Sequence, residues 1–175
     1  MIIAITGVPC TGKSTVSRLL SERLGYGLLS FKEIAEKAGA IVGFDEDMDA
    51  GLVDLDKLKG SVKRIDGDKI IEGHLSHELP ADLVIVLRCN PRTLETRLVN
   101  RYPENPRKVK ENVQSEILGV ITSEAINANV NVYEVDVTGK EVEDIIGEIL
   151  KVVKGNFKGQ KVFVDWLQEF EGWLI

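Results

Sequence analysis

Cysteine is scarce, with Cys10 and Cys89 the only two in 175 residues. That excludes a disulfide framework and fits a reducing cytosol. Histidine is equally rare, at His74 and His77, and no His/Cys spacing suggests a zinc site. No clean apolar run exceeds the five residues Leu83 to Leu87, far below the ~20 that a membrane helix needs. No positive region precedes the apolar start of the chain. Met1 to Thr6 runs straight into a glycine loop, so it reads as a first strand and not as a signal peptide. Internal repeats and low-complexity stretches are also lacking. At ~150 residues per domain the length predicts one domain, long enough to bury a core without staples.

The net charge of −6 argues against broad nucleic-acid coating. The charge is uneven. Residues 88–110 carry seven Lys/Arg against Glu95 and Glu104, so this segment is +5 and the remainder −11. A basic segment in an acidic chain suits a local anionic ligand better than a polyanion track; solvated helix charges are the bland alternative. A second cluster, Asp45, Glu46, Asp47, Asp49, Asp54 and Asp56, is acidic.

Strand and helix patterns alternate, which predicts an α/β fold with a parallel sheet covered by helices. Ile2 to Thr6, Gly27 to Leu29, Lys69 to Glu72, Leu83 to Arg88 and Val130 to Val135 read as five strands. Lys13 to Leu24 reads as a helix closed by Gly25. Ser30 to Glu33 forms a capping box for a helix ending near Gly39. Gly43 to Gly51 has no period and reads as loop, and Asp54 caps a short helix reaching Lys63. Asn90-Pro91 opens a helix to about Asn100, a break with two prolines follows, and one long helix runs to about Asn127. Thr138 is expected to cap a helix from Glu141 to about Val153. Both tryptophans and three of five phenylalanines fall in the tail. Phe163, Trp166, Leu167, Phe170, Trp173 and Leu174 have helical spacing, which predicts an amphipathic helix over about 161–174. It would pack on its own domain or dock a partner.

Gly7-Val8-Pro9-Cys10-Thr11-Gly12-Lys13-Ser14 matches G-x-x-x-x-G-K-[ST] in full, between a strand and a helix. Backbone N–H groups at the helix start, with the helix dipole, favour phosphates. Lys13 is placed to reach β/γ-phosphates, the Ser14 hydroxyl to bind Mg²⁺, and Thr15 to contact an α-phosphate. This establishes a nucleoside triphosphate loop and leaves the phosphoryl acceptor open.

GVPCTGKST, GFDEDMDAGLVD, IIEGH, LVIVLRCNPRTLETRLVNR and KVKENVQSEIL follow one another in the order found in the adenylate kinase isoenzyme 6 family. The chain resembles that family over about residues 1–153. The resemblance implies an adenylate-kinase-like P-loop three-layer sandwich, with a five-stranded parallel sheet of order 2-3-1-4-5. It implies a cytoplasmic nucleoside monophosphate kinase using ATP and Mg²⁺, with ATPase activity and a role in small ribosomal subunit maturation. ATP would be held by Cys10, Gly12, Lys13, Ser14, Thr15, Arg101 and Lys140. The monophosphate region would span roughly Ser30 to Val53 and the lid Asn100 to Lys110.

Two positions depart from the family pattern. The strand-end motif, usually Asp-x-His-Gly, is Glu72-Gly73-His74-Leu75, and Cys10 stands where glycine is usual. Glu72 is the expected metal partner of Ser14 and is grouped with Lys13, His74 and Arg101 as catalytic; His77 reads as structural or exposed. Ser30, Asp49, Asp54, Arg88 and Arg107 are expected to bind the acceptor, AMP or another monophosphate. Arg88 would stand in for an arginine missing after Glu72. Arg97 and Arg101, four residues apart, share one helix face near its end and, with Arg107 beyond the proline break, read as a short lid that brings positive charge over the phosphates on closing; Arg97 paired with Glu95 or solvent is the bland alternative. Two other readings stay open: an ATP-hydrolysing assembly factor that binds the basic platform protein of the small subunit, and a small-metabolite kinase.

Overall fold

β-branched and apolar segments build the centre of the molecule. The computed structural model describes residues 1–46, 50–62 and 66–174. In chain order it contains β1 (Ile2–Thr6), α1 (Lys13–Leu24), β2 (Gly27–Ser30), α2 (Phe31–Lys37), β3 (Ile41–Asp45), β4 (Ala50–Val53), α3 (Leu55–Val62) and β5 (Lys69–Glu72). Then come β6 (Leu83–Arg88), α4 (Pro91–Arg101), α5 (Pro106–Leu118), α6 (Val120–Ala128), β7 (Val132–Asp136), α7 (Val142–Lys154), β8 (Gln160–Lys161) and α8 (Leu167–Phe170). Among the described residues no helix is long and apolar enough to cross a membrane.

The main sheet runs β2-β5-β1-β6-β7-β8, and every pairing in it is parallel. The first five strands keep the expected order; β8, two exposed residues from the tail, adds a sixth at the edge. Ile3, Ile5, Ile70, Ile71 and all of β6 are buried, as strands covered on both faces must be. β1 lies between β5 and β6, so the strand order reverses there. The crevice beyond the carboxyl ends of such strands is where α/β sheets bind ligands.

Caps read from sequence are present. Ser30 and Glu33 form the capping box of α2, Asn90 accepts from the Arg92 N–H, and Asp54 accepts from the Lys57 N–H. Four expectations fail for identifiable reasons. Gly43 to Gly51 is not all loop, because β3 and β4 pair antiparallel. The long helix is split at Gly119, whose φ of 62° is left-handed and ends α5 before α6 begins. Thr138 does not cap α7, since its hydroxyl donates to Asp136 and accepts from the Asn90 N–H.

The tail is not one helix. Its aromatic residues pack from short pieces, with Phe170 fully buried and Arg92 stacked over Phe170 and Trp173. The ring spacing suited a helix, but the backbone N–H groups of Phe163 and Val164 instead donate to buried Glu134 at 2.8 and 2.9 Å. That leaves this stretch extended.

Candidate active site

α1 begins without a side-chain cap and with no acidic residue in its first turn. Its free N–H groups face the loop after β1, so the helix end is available to an anion. Gly7 admits no side chain, because a Cβ there would lie 2.6 Å from the Leu87 carbonyl oxygen. Gly12 takes φ 92°, a left-handed conformation, and turns the chain into α1. Cys10 also holds positive φ, 68°, a conformation that glycine adopts more easily.

The Lys13 ammonium donates to the Gly7 and Val8 carbonyls, both at 2.9 Å. Burial lowers its pKa to about 8, against the opposing pull of Glu72 and Cys10. A cavity of about 380 Å³ is lined by Cys10, Gly12, Lys13, Ser14, Thr15, Arg101 and Tyr102. Ser14 donates to Glu72 Oε2 at 3.3 Å, which brings a hydroxyl and a carboxylate together at the cavity. Such oxygen donors fit a hard divalent cation.

His74 Nδ1 donates to the Gly7 carbonyl at 3.3 Å. The protein around its ring, then the Lys13 charge, pushes its pKa down to about 4, although the residue keeps an exposed edge. The ring is therefore neutral at physiological pH, with Nε2 free to accept. His74 also lines a second, apolar cavity of about 270 Å³ with Phe31, Ile41, Gly51, Val53 and Leu75. A third, of about 180 Å³, lies beside Gly12 and Thr15 and is lined by Arg97, Val137, Lys140 and Val142. Lys140 is there, paired with Glu148 at 3.0 Å.

Several expected acceptor residues lie elsewhere. Arg88 is 3% exposed; its guanidinium binds Glu116 at 2.8 Å and Glu134, and donates to Thr122. Burial opposes its charge, but the two carboxylates outweigh that and raise its pKa. Arg88 is a core ion-pair residue here, with no reach to a substrate. Arg107 pairs with Glu111 at 2.8 Å on an exposed face of α5 and does not line the phosphate cavity. Ser30 and Asp54 are helix caps; Ser30 stands opposite Glu72 in register. Asp49 lies outside the described residues. Arg97, read with Arg101 as lid charge, and Tyr102, inside the expected lid, have no ligand role of their own on sequence grounds. Arg97 donates to the Cys10 carbonyl at 3.3 Å, over the loop. Its spacing from Arg101 was the available signal.

A family model described as an AAA domain matches residues 3–119. A protein of Thermococcus onnurineus is 41% identical over 98% of this chain and 94% of its own length. One of Methanocaldococcus jannaschii is 40% identical over 99% and 97%. Both carry the name "putative adenylate kinase". Among solved structures, shikimate kinase of Bacteroides thetaiotaomicron superposes with a TM-score of 0.60 at 15% identity, over 88% of this chain and 98% of that one; this likeness concerns the fold. An uncapped helix start behind a glycine loop and these near-full-length relatives lead to one conclusion: the chain belongs to the P-loop nucleoside monophosphate kinase family.

Proposed function

We propose that the protein transfers the γ-phosphoryl group of ATP to a nucleoside monophosphate, AMP first among acceptors, in the cytoplasm. The observation that carries this is a pair of cavities, one at the loop and one linked to it by the His74 ring, which donates to the Gly7 carbonyl. The polar one is lined by Lys13, Ser14 and Arg101, and the apolar one by His74. A triphosphate in the first would have its adenine beside Arg97, Lys140 and Val142. An acceptor base would lie between Phe31, Ile41 and Val53, with its phosphate toward His74 and Lys13.

An oxygen of the acceptor phosphate attacks Pγ, the bond from Pγ to the β-bridging oxygen breaks, and ADP forms at both sites. Charge neutralisation and alignment supply most of the rate. Lys13 and Arg101 carry the fixed positive charge. Ser14 and Glu72 would hold Mg²⁺, which neutralises β- and γ-oxygens when bound. Neutral His74 offers Nε2 as an acceptor for the hydrogen of a water beside the loop.

ADP formation should rise strongly on adding AMP, and Lys13→Ala should lower turnover about a thousandfold or more. Turnover retained in Lys13→Ala would overturn the site assignment. A second reading is favoured by the −11 balance outside residues 88–110 and by exposed Phe44 and Leu52 on the β3–β4 hairpin. Here water accepts the phosphoryl group, and the protein binds and releases a basic platform protein during small-subunit maturation. That reading requires nucleotide-dependent capture of the platform protein. No capture with ATP, with ADP or without nucleotide would eliminate it.

A further inference from the structure

His77 is fully buried in the single helical turn Ser76–Glu78, and the phosphate site does not use it. Its Nε2 lies 3.1 Å from Glu124 Oε2 and 3.7 Å from Glu78 Oε1. Its Nδ1 lies 2.9 Å from Thr6 Oγ1, whose own hydroxyl donates to the His74 carbonyl at 3.0 Å. A hydroxyl has one proton. With that proton on the His74 carbonyl, Nδ1 carries the imidazole hydrogen and donates to Thr6. In that tautomer Nε2 presents a lone pair toward two carboxylate oxygens; in the other, Nε2–H donates to Glu124 at 3.1 Å, and a cation takes that hydrogen's place. The opposite tautomer would take the Thr6 proton from the His74 carbonyl. We infer that His77 Nε2, Glu78 and Glu124 form a three-ligand site for a zinc-class divalent cation.

The distances suit that class. Bonds of 2.0–2.1 Å in a tetrahedron place ligand atoms about 3.3 Å apart, and the two measured separations lie on either side of that value. One imidazole and two carboxylates suit zinc and its transition-metal neighbours, whereas magnesium prefers oxygen alone. The Thr6 hydroxyl orients the ring from behind, as outer partners of metal-bound histidines do. Glu78 uses its second oxygen on Lys59, at 3.4 Å, and turns the first toward His77. Entry is from the Glu124 side, where the carboxylate is 46% exposed; Glu78 is 19% exposed. Burial also lowers the His77 pKa, which favours the neutral, metal-binding form at physiological pH.

A cation here ties α6 to the turn that follows His74, and through Thr6 to the start of the phosphate loop. The residues set the backbone under the active site without touching substrate.

The experiment is titration of the metal-free full chain with Zn²⁺ by calorimetry and with Co²⁺ by visible absorption, with no nucleotide present. One equivalent should bind, with four-coordinate Co²⁺ bands and no thiolate charge-transfer band. Affinity should fall at least about tenfold in His77→Gln and in Glu124→Gln. Glu124 is half-exposed, so its variant keeps the fold even if His77→Gln does not. Three results would overturn the proposal: no one-equivalent binding, equal affinity in wild type and Glu124→Gln, or a thiolate band placing the ion on a cysteine. Loss of binding in Glu72→Gln with retention in Glu124→Gln would assign the ion to the phosphate site and likewise overturn it.

Discussion

Lys13 has its pKa lowered to about 8 before any phosphate arrives. Below that pH it is charged and attracts the triphosphate; above it the empty site loses the charge. The KM for ATP should therefore rise as pH passes above about 8, with kcat less affected because bound phosphate restores the proton. A KM flat to pH 10 would contradict the buried position of this lysine. The same shift acts on stability. The unfolded chain holds the Lys13 proton up to about 10.5 and the folded chain only to about 8, so this group adds stability as pH rises between those values. His74, held near 4, gives turnover no ionisation step near 6.5. Lys13, Ser14 and the glycines were legible in the sequence because the phosphate loop is one contiguous motif. The lid was legible as a region, but the Arg97 contact with the Cys10 carbonyl and the place of Tyr102 in the cavity were not, since only folding brings α4 over the loop. The His77 cluster was invisible for the same reason, with Glu124 47 residues away from the histidine.

At the scale of elements, the ends of β6, β7 and α5 meet in a buried ion cluster. Arg88 joins Glu116, Glu134 and Thr122, and its guanidinium passes 3.7 Å from the Cβ position of Gly119. Replacing Arg88 with Leu strands two buried carboxylates, which typically costs about 3–5 kcal/mol. Urea unfolding should show a loss of that size; under ~1 kcal/mol would mean that the cluster does not hold these elements together. The sequence placed Arg88 correctly at a strand end but assigned it to substrate. An arginine is rarely buried without partners, and its partners here come from positions 116 and 134. The acidic 43–51 stretch looked featureless because β3 and β4 pair as an exposed two-stranded ribbon, whose side chains need not alternate. Gly119 was overlooked within an otherwise continuous apolar period.

Across the whole molecule, the helix-covered parallel sheet was readable because strand and helix patterns alternate, whereas its strand order came from the family resemblance. The tail was harder. Its aromatic spacing suited a helix, but Glu134 captures its backbone, Trp166 donates to Glu116 at 3.2 Å, and Phe170 is inserted whole into the core. Phe170→Ala should cost about 3–5 kcal/mol, and removing residues 160–175 should lower the melting temperature. An unchanged melting temperature would mean that the tail serves something other than packing. The central claim is that a nucleotide in the polar cavity at Lys13 passes a phosphoryl group to a second one in the apolar cavity at His74. Its most direct test follows the label from γ-³²P-ATP in the presence of AMP and Mg²⁺. Label recovered in ADP, with two ADP made per ATP consumed, is the result this account predicts. Label recovered only as inorganic phosphate, at a rate indifferent to AMP and every other monophosphate, would contradict it.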